Sequence, residues 1–261
     1  MNTLDKIIND KRREVSLKQS IIPMRQLEQS VLFERTTLSL SQILQDSSCG
    51  IIAEHKRRSP SRSEISYNFT VEEVVTGYQK AGVAGISVLT DGKYFGGSLD
   101  DLILARAAVN IPLLRKEFII AEYQILEAKA FGADAILLIA AVLSKKEIKT
   151  LSELAQSLDL EVLMEVHDEN ELSQSIVPSL NMIGVNNRNL KTFEVNLDAS
   201  KHLASKIPSE FVKVSESGIQ STDSIKALQA YGYKGFLIGE NFMKTQDPGT
   251  AARTFINQIA L

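Results

Sequence analysis

Eight short apolar runs alternate with amphipathic segments of helical period from residue 50 onward, and this alternation restricts the fold more than any other feature of the chain. Strands separated by helices at this spacing pair in parallel, because each helix carries the chain back to the same edge of the sheet. The run Ala135-Ile-Leu-Leu-Ile139 is apolar throughout, which suits a sheet covered on both faces. Eight such units predict an α/β fold, a closed (β/α)₈ TIM barrel, with an open doubly wound sheet as the alternative. The predicted strands are 50–54, 85–89, 112–115, 135–139, 161–166, 182–185, 211–214 and 235–238.

Glycines follow several of the predicted helices. Helical periodicity covers residues 71–81, 121–131, 145–158 and 222–231. Gly82, Gly132 and Gly232 stand at the ends of such segments, where a helix commonly closes with one residue in the left-handed conformation.

The first 49 residues lie outside this repeat. Leu4, Ile7 and Ile8 precede a charged run, and a second apolar segment covers residues 38–44. We predict two added helices that pack on the barrel and cover one end of it. Because no linker rich in Gly, Ser or Pro separates them from the repeat, residues 1–261 are predicted to form a single barrel domain with residues 1–49 as an N-terminal helical extension.

Composition excludes several classes of function. The net charge of −3 at pH 7 argues against binding to nucleic acid. The longest apolar stretch, 133–143, is far shorter than the roughly 20 residues that span a bilayer, so no membrane partner is expected. The single cysteine, Cys49, cannot form an internal disulfide, and the start of the chain lacks the apolar core of a signal peptide. We therefore expect a cytoplasmic protein.

Ionisable side chains follow the odd-numbered strands, where barrel active sites lie. They are Glu54 and Lys56 after the first strand, Lys116 after the third, Glu165 after the fifth and Glu216 after the seventh. Alternate strands contribute the side chains of one interior layer, so these five groups are predicted to meet at one level of the barrel. Ammonium and carboxylate groups in such a place offer a general acid beside a general base.

Two glycines predict a phosphate site. Gly218 follows the seventh strand, and Gly239 with Glu240 follows the eighth, each at the start of a helix. Backbone N–H groups at two adjacent loops of this kind commonly bind phosphate in barrels. A metal site is not predicted, because His55, His167 and His202 have no ligand spacing with one another or with Cys49.

Seven segments carry these groups in order between residues 50 and 243. They are Ile52-Ala-Glu-His-Lys-Arg-Arg-Ser-Pro-Ser61, Ser87-Val-Leu-Thr-Asp91 with Tyr94-Phe-Gly-Gly97, Leu114-Arg-Lys-Glu-Phe118, Gly132-Ala-Asp-Ala-Ile-Leu-Leu-Ile139, Glu165-Val-His-Asp168, Gly184-Val-Asn-Asn-Arg-Asn-Leu190 and Ser215-Glu-Ser-Gly218. Together they resemble the indole-3-glycerol phosphate synthase family, which also carries an extension before its barrel.

The resemblance implies a carboxy-lyase of tryptophan biosynthesis. Its reaction closes the ring of a phosphorylated small-molecule substrate, 1-(2-carboxyphenylamino)-1-deoxyribulose 5-phosphate, with loss of CO₂ and water, and it implies no cofactor and no metal. By motif, Lys116 resembles the general acid that protonates the substrate carbonyl. Glu165 would take a proton during dehydration, with Lys56 and Glu54 supporting these transfers.

The remaining roles implied by the resemblance concern binding. The anthranilate carboxylate and the sugar hydroxyls would be held by Asn186, Arg188, Glu216 and Ser217. Phe95 and Phe118 would flank the aromatic ring. The phosphate would bind at Lys56, Gly218, Gly239 and Glu240, with Ser59 near that loop.

This chain departs from the usual family pattern at three positions. Ser63 stands where glycine is usual, Glu117 replaces the commoner Asp, and His55 replaces an apolar or small residue. Two alternative functions stay open: another phosphate-binding barrel enzyme of the phosphoribosylanthranilate isomerase type, or a non-catalytic partner subunit. The chain is expected to act as a monomer, with a homodimer as the alternative.

Overall fold

Eight parallel strands close into a barrel in which each strand pairs with the next along the chain and the last pairs with the first. The computed structural model describes residues 3–60, 65, 69–189 and 194–259. Pairing of the first and last strands confirms the closed (β/α)₈ barrel over the open sheet. The strands are β1 (Gly50–His55), β2 (Gly85–Leu89), β3 (Leu113–Lys116), β4 (Ala135–Ile139), β5 (Glu161–Val166), β6 (Met182–Asn186), β7 (Val212–Glu216) and β8 (Gly235–Ile238).

Helices alternate with these strands, and local sequence accounts for many of their ends. Thr70 and Glu73 form a capping box at the start of one helix, as Ser144 and Glu147 do at another. Gly82, Gly132 and Gly232 have φ of 81°, 88° and 84°, so the predicted left-handed closures are confirmed. The helices are α1 (Thr3–Ile21), α2 (Met24–Glu28), α3 (Leu40–Asp46), α4 (Val71–Ala81), α5 (Gly92–Phe95), α6 (Leu99–Ala108), α7 (Glu122–Ala130), α8 (Lys145–Ser157), α9 (Glu169–Ser175), α10 (Asp198–Leu203), α11 (Thr222–Gln229), α12 (Glu240–Met243) and α13 (Pro248–Ile259).

Two apolar layers hold the barrel together. Side chains that point inward, such as Ile52, Leu163 and Val214, form the interior cluster. Side chains that point outward from the same strands pack under the surrounding helices in a second, larger cluster. Among the described residues, no helix has the length and apolar content to cross a bilayer.

The extension before β1 reaches both ends of the barrel, which differs from the expectation of two helices at one end. Its described part holds the three helices α1, α2 and α3. Leu40 and Leu44 of α3 are fully buried in the interior cluster, next to the first residues of β1 and β2. Helix α1 instead contributes Leu4 and Ile7 to the cavity at the carboxyl ends of the strands. The extension therefore closes the bottom of the barrel and borders the opening at the top.

Candidate active site

A cavity of about 310 Å³ opens at the carboxyl ends of the strands. Polar and apolar side chains both line it, as is usual for small-molecule sites. Every residue that the sequence assigns to catalysis or binding borders this cavity: Glu54, Lys56, Ser59, Phe95, Lys116, Phe118, Glu165, Asn186, Arg188, Glu216, Ser217, Gly218, Gly239 and Glu240.

Lys116 lies at the centre of the ionisable cluster. Its Nζ is 2.5 Å from Glu216 Oε2 and 3.3 Å from Glu165 Oε2. Glu54 and Lys56 form a second pair, with 2.6 Å between Nζ and Oε1. The five groups from β1, β3, β5 and β7 thus lie around one opening, as the strand parity predicts.

Two glycines on the even strands make room for these carboxylates. A Cβ atom on Gly184 of β6 would overlap Glu216 Oε1 and lie 3.2 Å from Leu163 Cδ1. A Cβ atom on Gly239, just after β8, would lie 2.6 Å from Glu54 Oε1. Large charged side chains from odd strands therefore alternate with glycine on the neighbouring even strands, which lets the charged groups occupy one level.

Burial and mutual charge set the protonation of this cluster. Burial would lower the pKa of Lys116, but Glu216, Glu165 and Glu54 outweigh it and raise the pKa. Burial raises the pKa of Glu216 to about 7, with Lys116 lowering it and Glu165 raising it further. Burial also acts to raise the pKa of Glu165, but Lys116 and His167 bring it below its ordinary value. At neutral pH the lysine is charged and Glu165 is ionised, and Glu216 is the carboxylate of this coupled cluster that binds a proton most readily.

Asn186 orients the Glu165 carboxylate. Its Nδ2 donates to Glu165 Oε1 at 3.1 Å, and its Oδ1 accepts from the Arg188 backbone N–H at 3.0 Å. The neighbouring Asn187 is buried and donates to the carbonyl oxygens of Glu216 and Ser217. Asn186 therefore faces the cavity, whereas Asn187 joins the end of β6 to the end of β7.

The proposed phosphate loops lie next to each other. Asn241 Nδ2 donates to the Gln220 carbonyl at 3.5 Å, which links the turn after β7 to the start of α12. Ser217 and Gly218 have φ of 66° and 76°, in the left-handed region that is costly for serine. Lys244 also lines the cavity, although the sequence analysis did not select it. No motif marks this lysine, because it lies beyond the strand end, after α12.

Two aromatic rings form one wall of the cavity. Phe95 and Phe118 have their ring centroids 6.0 Å apart at an interplanar angle of 44°. Asp91 caps the short helix α5 and accepts from the backbone N–H groups of Tyr94 and Phe95, which fixes the position of the first ring. Glu117 Oε1 accepts from the Phe118 backbone N–H at 2.8 Å, which fixes the backbone that carries the second ring.

A buried ion cluster joins the extension to this wall. Lys11 of α1 is 2% exposed, and its Nζ lies 3.0 Å from Asp91 Oδ2, 3.1 Å from Glu117 Oε1 and 2.8 Å from Glu14 Oε2. Sequence reasoning missed Lys11, because a lysine in a charged helical segment ordinarily faces solvent. Glu117, noted above as a departure from the family pattern, is a member of this cluster.

His55 and Ser63 are the other two departures. His55 is 1% exposed and faces away from the cavity, as the alternation along β1 predicts. Burial, followed by the charge of Arg57, lowers the pKa of His55 to about 4, so the ring is neutral at pH 7. Ser63 lies outside the described residues.

Comparison with known proteins shows what this chain resembles. A family model described as indole-3-glycerol phosphate synthase matches residues 4–255. The indole-3-glycerol phosphate synthase of Bacteroides thetaiotaomicron is 46% identical over 256 residues, which cover 98% of each chain. That of Polaromonas naphthalenivorans is 42% identical and covers 95% of this chain and 96% of its own.

A solved structure supports the fold alone. KGPDC from Streptococcus mutans matches 81% of this chain and 97% of its own with a TM-score of 0.62, at 13% sequence identity. This likeness agrees with the barrel architecture and carries no information about the substrate.

Proposed function

Because this chain belongs to the indole-3-glycerol phosphate synthase family, we propose that Lys116 is the general acid of its ring-closing reaction. The enzyme converts 1-(2-carboxyphenylamino)-1-deoxyribulose 5-phosphate to indole-3-glycerol phosphate, CO₂ and water in tryptophan biosynthesis. The isomerase-type and non-catalytic alternatives are not favoured, because the family and its relatives are synthases.

The observation that carries the proposal is the placement of the Lys116 ammonium. It borders the cavity, it is 14% exposed, and it lies between two carboxylates that keep it charged. When the aromatic carbon attacks the substrate carbonyl, negative charge develops on the carbonyl oxygen. A proton from Lys116 neutralises that charge, and a donor already positioned at the developing oxyanion stabilises the transition state.

Loss of CO₂ then returns the bonding electrons to the ring, and loss of water completes the indole. In this second stage a proton leaves the substrate as the hydroxyl group departs. Glu165 is ionised and held by Asn186, so it is the proposed base. Lys56 and Glu54, paired at 2.6 Å, are proposed to support these proton transfers.

Binding groups divide between the two ends of the substrate. The carboxylate and the sugar hydroxyls are proposed to be held by Asn186, Arg188, Glu216 and Ser217. The aromatic ring of the substrate would lie between Phe95 and Phe118, with Ser59 at the first loop. The phosphate is proposed to bind Lys56 and the backbone N–H groups at Gly218, Gly239 and Glu240. Anchoring a dianion at one end orients the reacting carbon at the other.

We also propose that the enzyme works in the cytoplasm as a monomer, with a homodimer as the alternative. Cys49, the single cysteine, cannot form an internal disulfide, as is usual for a protein of a reducing compartment. Light scattering on the purified chain distinguishes the masses of monomer and dimer.

Product formation followed by fluorescence tests the function directly, since the chain contains no tryptophan to obscure the indole signal. Lys116→Ala is expected to lower kcat by at least about 10²-fold, the usual scale for loss of a general acid. Lys244→Ala, at the phosphate end of the same cavity, is expected to raise KM with little change in kcat. Circular dichroism checks that both variants fold. Near-normal turnover by folded Lys116→Ala would refute its role.

A further inference from the structure

His167 lies directly after β5 with its ring between two carboxylates. Its Nδ1 is 3.0 Å from Glu171 Oε2, and its Nε2 is 3.6 Å from Glu165 Oε1. The His167 side chain is 14% exposed and does not border the cavity. The ring therefore contacts Glu165 without itself lining the cavity.

Glu171 fixes the position of this ring. Its Oε2 accepts from the His167 backbone N–H at 2.8 Å as well as facing Nδ1. Glu171 is held in turn at the start of α9, where its own N–H donates to Asp168 Oδ1 at 2.9 Å. The contact from the backbone N–H fixes the Glu171 carboxylate, and the contact of that carboxylate with Nδ1 orients the imidazole.

The two facing carboxylates indicate the protonation state of the ring. A neutral imidazole has one N–H and one lone pair, so one of its nitrogens would direct a lone pair at a carboxylate oxygen. Only the imidazolium presents an N–H to both Glu171 and Glu165. His167 Nε2 is also buried without a hydrogen-bond partner among the described residues, and Glu165 Oε1 is the carboxylate oxygen that it faces.

The other charges around the ring favour the same state. Burial acts to lower the pKa of His167, but hydrogen bonding to Glu171 and the charges of Glu165, Glu171 and Glu216 outweigh it, so the pKa is raised. These carboxylates come from β5, α9 and β7. Lys116 of β3 contacts the other oxygen of the Glu165 carboxylate, with its Nζ 3.3 Å from Oε2.

We propose that His167 is a positioning residue which, held by Glu171, keeps Glu165 ionised for its work as a base. The proposal rests on the role of Glu165 proposed above. Lys116 lowers the pKa of Glu165 more than His167 does, but it also contacts Glu216 at 2.5 Å and is itself assigned to the substrate carbonyl. His167, which Glu171 also contacts, supplies a second positive charge beside Glu165.

The change in the acid limb of kcat/KM between variants tests this assignment, because that limb reports the groups of the free enzyme that must lose a proton. Glu165 titrates there coupled to Glu216. Without the imidazolium, Glu165 binds a proton more readily, so its pKa rises. In His167→Asn the acid limb is expected to move to higher pH by about one unit or more, with activity recovering toward the wild-type plateau at alkaline pH. Glu171→Gln, which keeps an acceptor for the His167 N–H, is expected to shift the limb in the same direction by less.

His202→Asn is the matched control. His202 also faces a glutamate, with Nε2 3.7 Å from Glu169 Oε2, but its side chain is 66% exposed and outside the cavity. The acid limb of the kcat/KM profile of His202→Asn is expected to stay at the wild-type position. If His167→Asn lowers kcat/KM equally at every pH and leaves the limb in place, His167 has only a structural role and the proposal is wrong.

Nitrogen NMR of the histidine rings separates this proposal from the assignment of Glu165. The His167 ring is expected to titrate above the ordinary pKa of 6.5, and Glu171→Gln is expected to lower that midpoint. A midpoint below 6.5 in the wild type would overturn the charged state of the ring. Normal turnover by Glu165→Gln would instead refute the role of Glu165 while leaving the measured ring charge intact.

Discussion

Replacing Lys11 with methionine removes the cation that joins the extension to the barrel. Methionine has similar length and no charge, so the change leaves Asp91 and Glu117 without the ammonium that now lies 3.0 and 3.1 Å away. Both carboxylates are almost inaccessible, at 2% and 1% side-chain exposure. Water therefore cannot replace the lost partner without local opening.

Breaking a buried ion pair on one side costs about 3 to 5 kcal/mol, since the remaining charge stays buried. Some compensation is available, because Glu117 also accepts from Thr90 Oγ1 at 2.8 Å and lies 3.8 Å from Arg115. We therefore expect the free energy of unfolding to fall by about 3 kcal/mol, the lower end of that range. For a chain of this size this corresponds to a fall in Tm of roughly 6 to 12 °C.

Urea unfolding at pH 7 measures the change, and Lys93→Met supplies the control. Lys93 also joins α1 to the α5 turn, through a 2.6 Å contact with Asp10, but its side chain is 66% exposed. Exposed pairs contribute about 0 to 1 kcal/mol, so this variant should lose little stability. A loss below 1 kcal/mol in Lys11→Met, similar to that of Lys93→Met, would refute the argument from burial.

Three further substitutions test the site and its surroundings. Gly184→Ala places a Cβ atom against Glu216 Oε1, so it should displace the carboxylate from Lys116 and lower kcat by about 10-fold or more. An unchanged kcat in steady-state kinetics would contradict the arrangement of these groups at one level of the barrel. Gly239→Val should lower kcat as well as raise KM, because the valine Cβ would reach Glu54 in addition to crowding the phosphate loop. A change in KM alone would show that Glu54 adjusts freely. His55→Asn should make the protein less sensitive to acid. The unfolded chain binds a proton at His55 below about pH 6.5, whereas the folded protein resists it down to about pH 4, so the wild type loses up to about 3 kcal/mol of unfolding free energy between these pH values. The variant should keep that free energy, which urea titrations at pH 7 and pH 4 would show.

Much of the ionisable cluster could be predicted from the sequence. The alternation of side chains along β1, β3, β5 and β7 is a local property, and it correctly selected Glu54, Lys116, Glu165 and Glu216 as inward-facing groups at one end. The same alternation placed His55 under the helices. These predictions succeed because the period of a strand and the closure of an eight-stranded barrel leave one face for the interior.

Other parts of the site depend on which residues of distant segments meet. The charged run in α1 does not reveal that Lys11 is buried, since its partners Asp91 and Glu117 lie about 80 and 106 residues further along the chain. The fit of Gly184 against Glu216 and of Gly239 against Glu54 depends on the register between neighbouring strands. Period and polarity are written into short stretches of chain, so they determine the barrel and the end that carries the chemistry. The pairing of charges, the room for each carboxylate and the contact of His167 with Glu165 arise only when the closed barrel brings separate strands and helices to fixed distances.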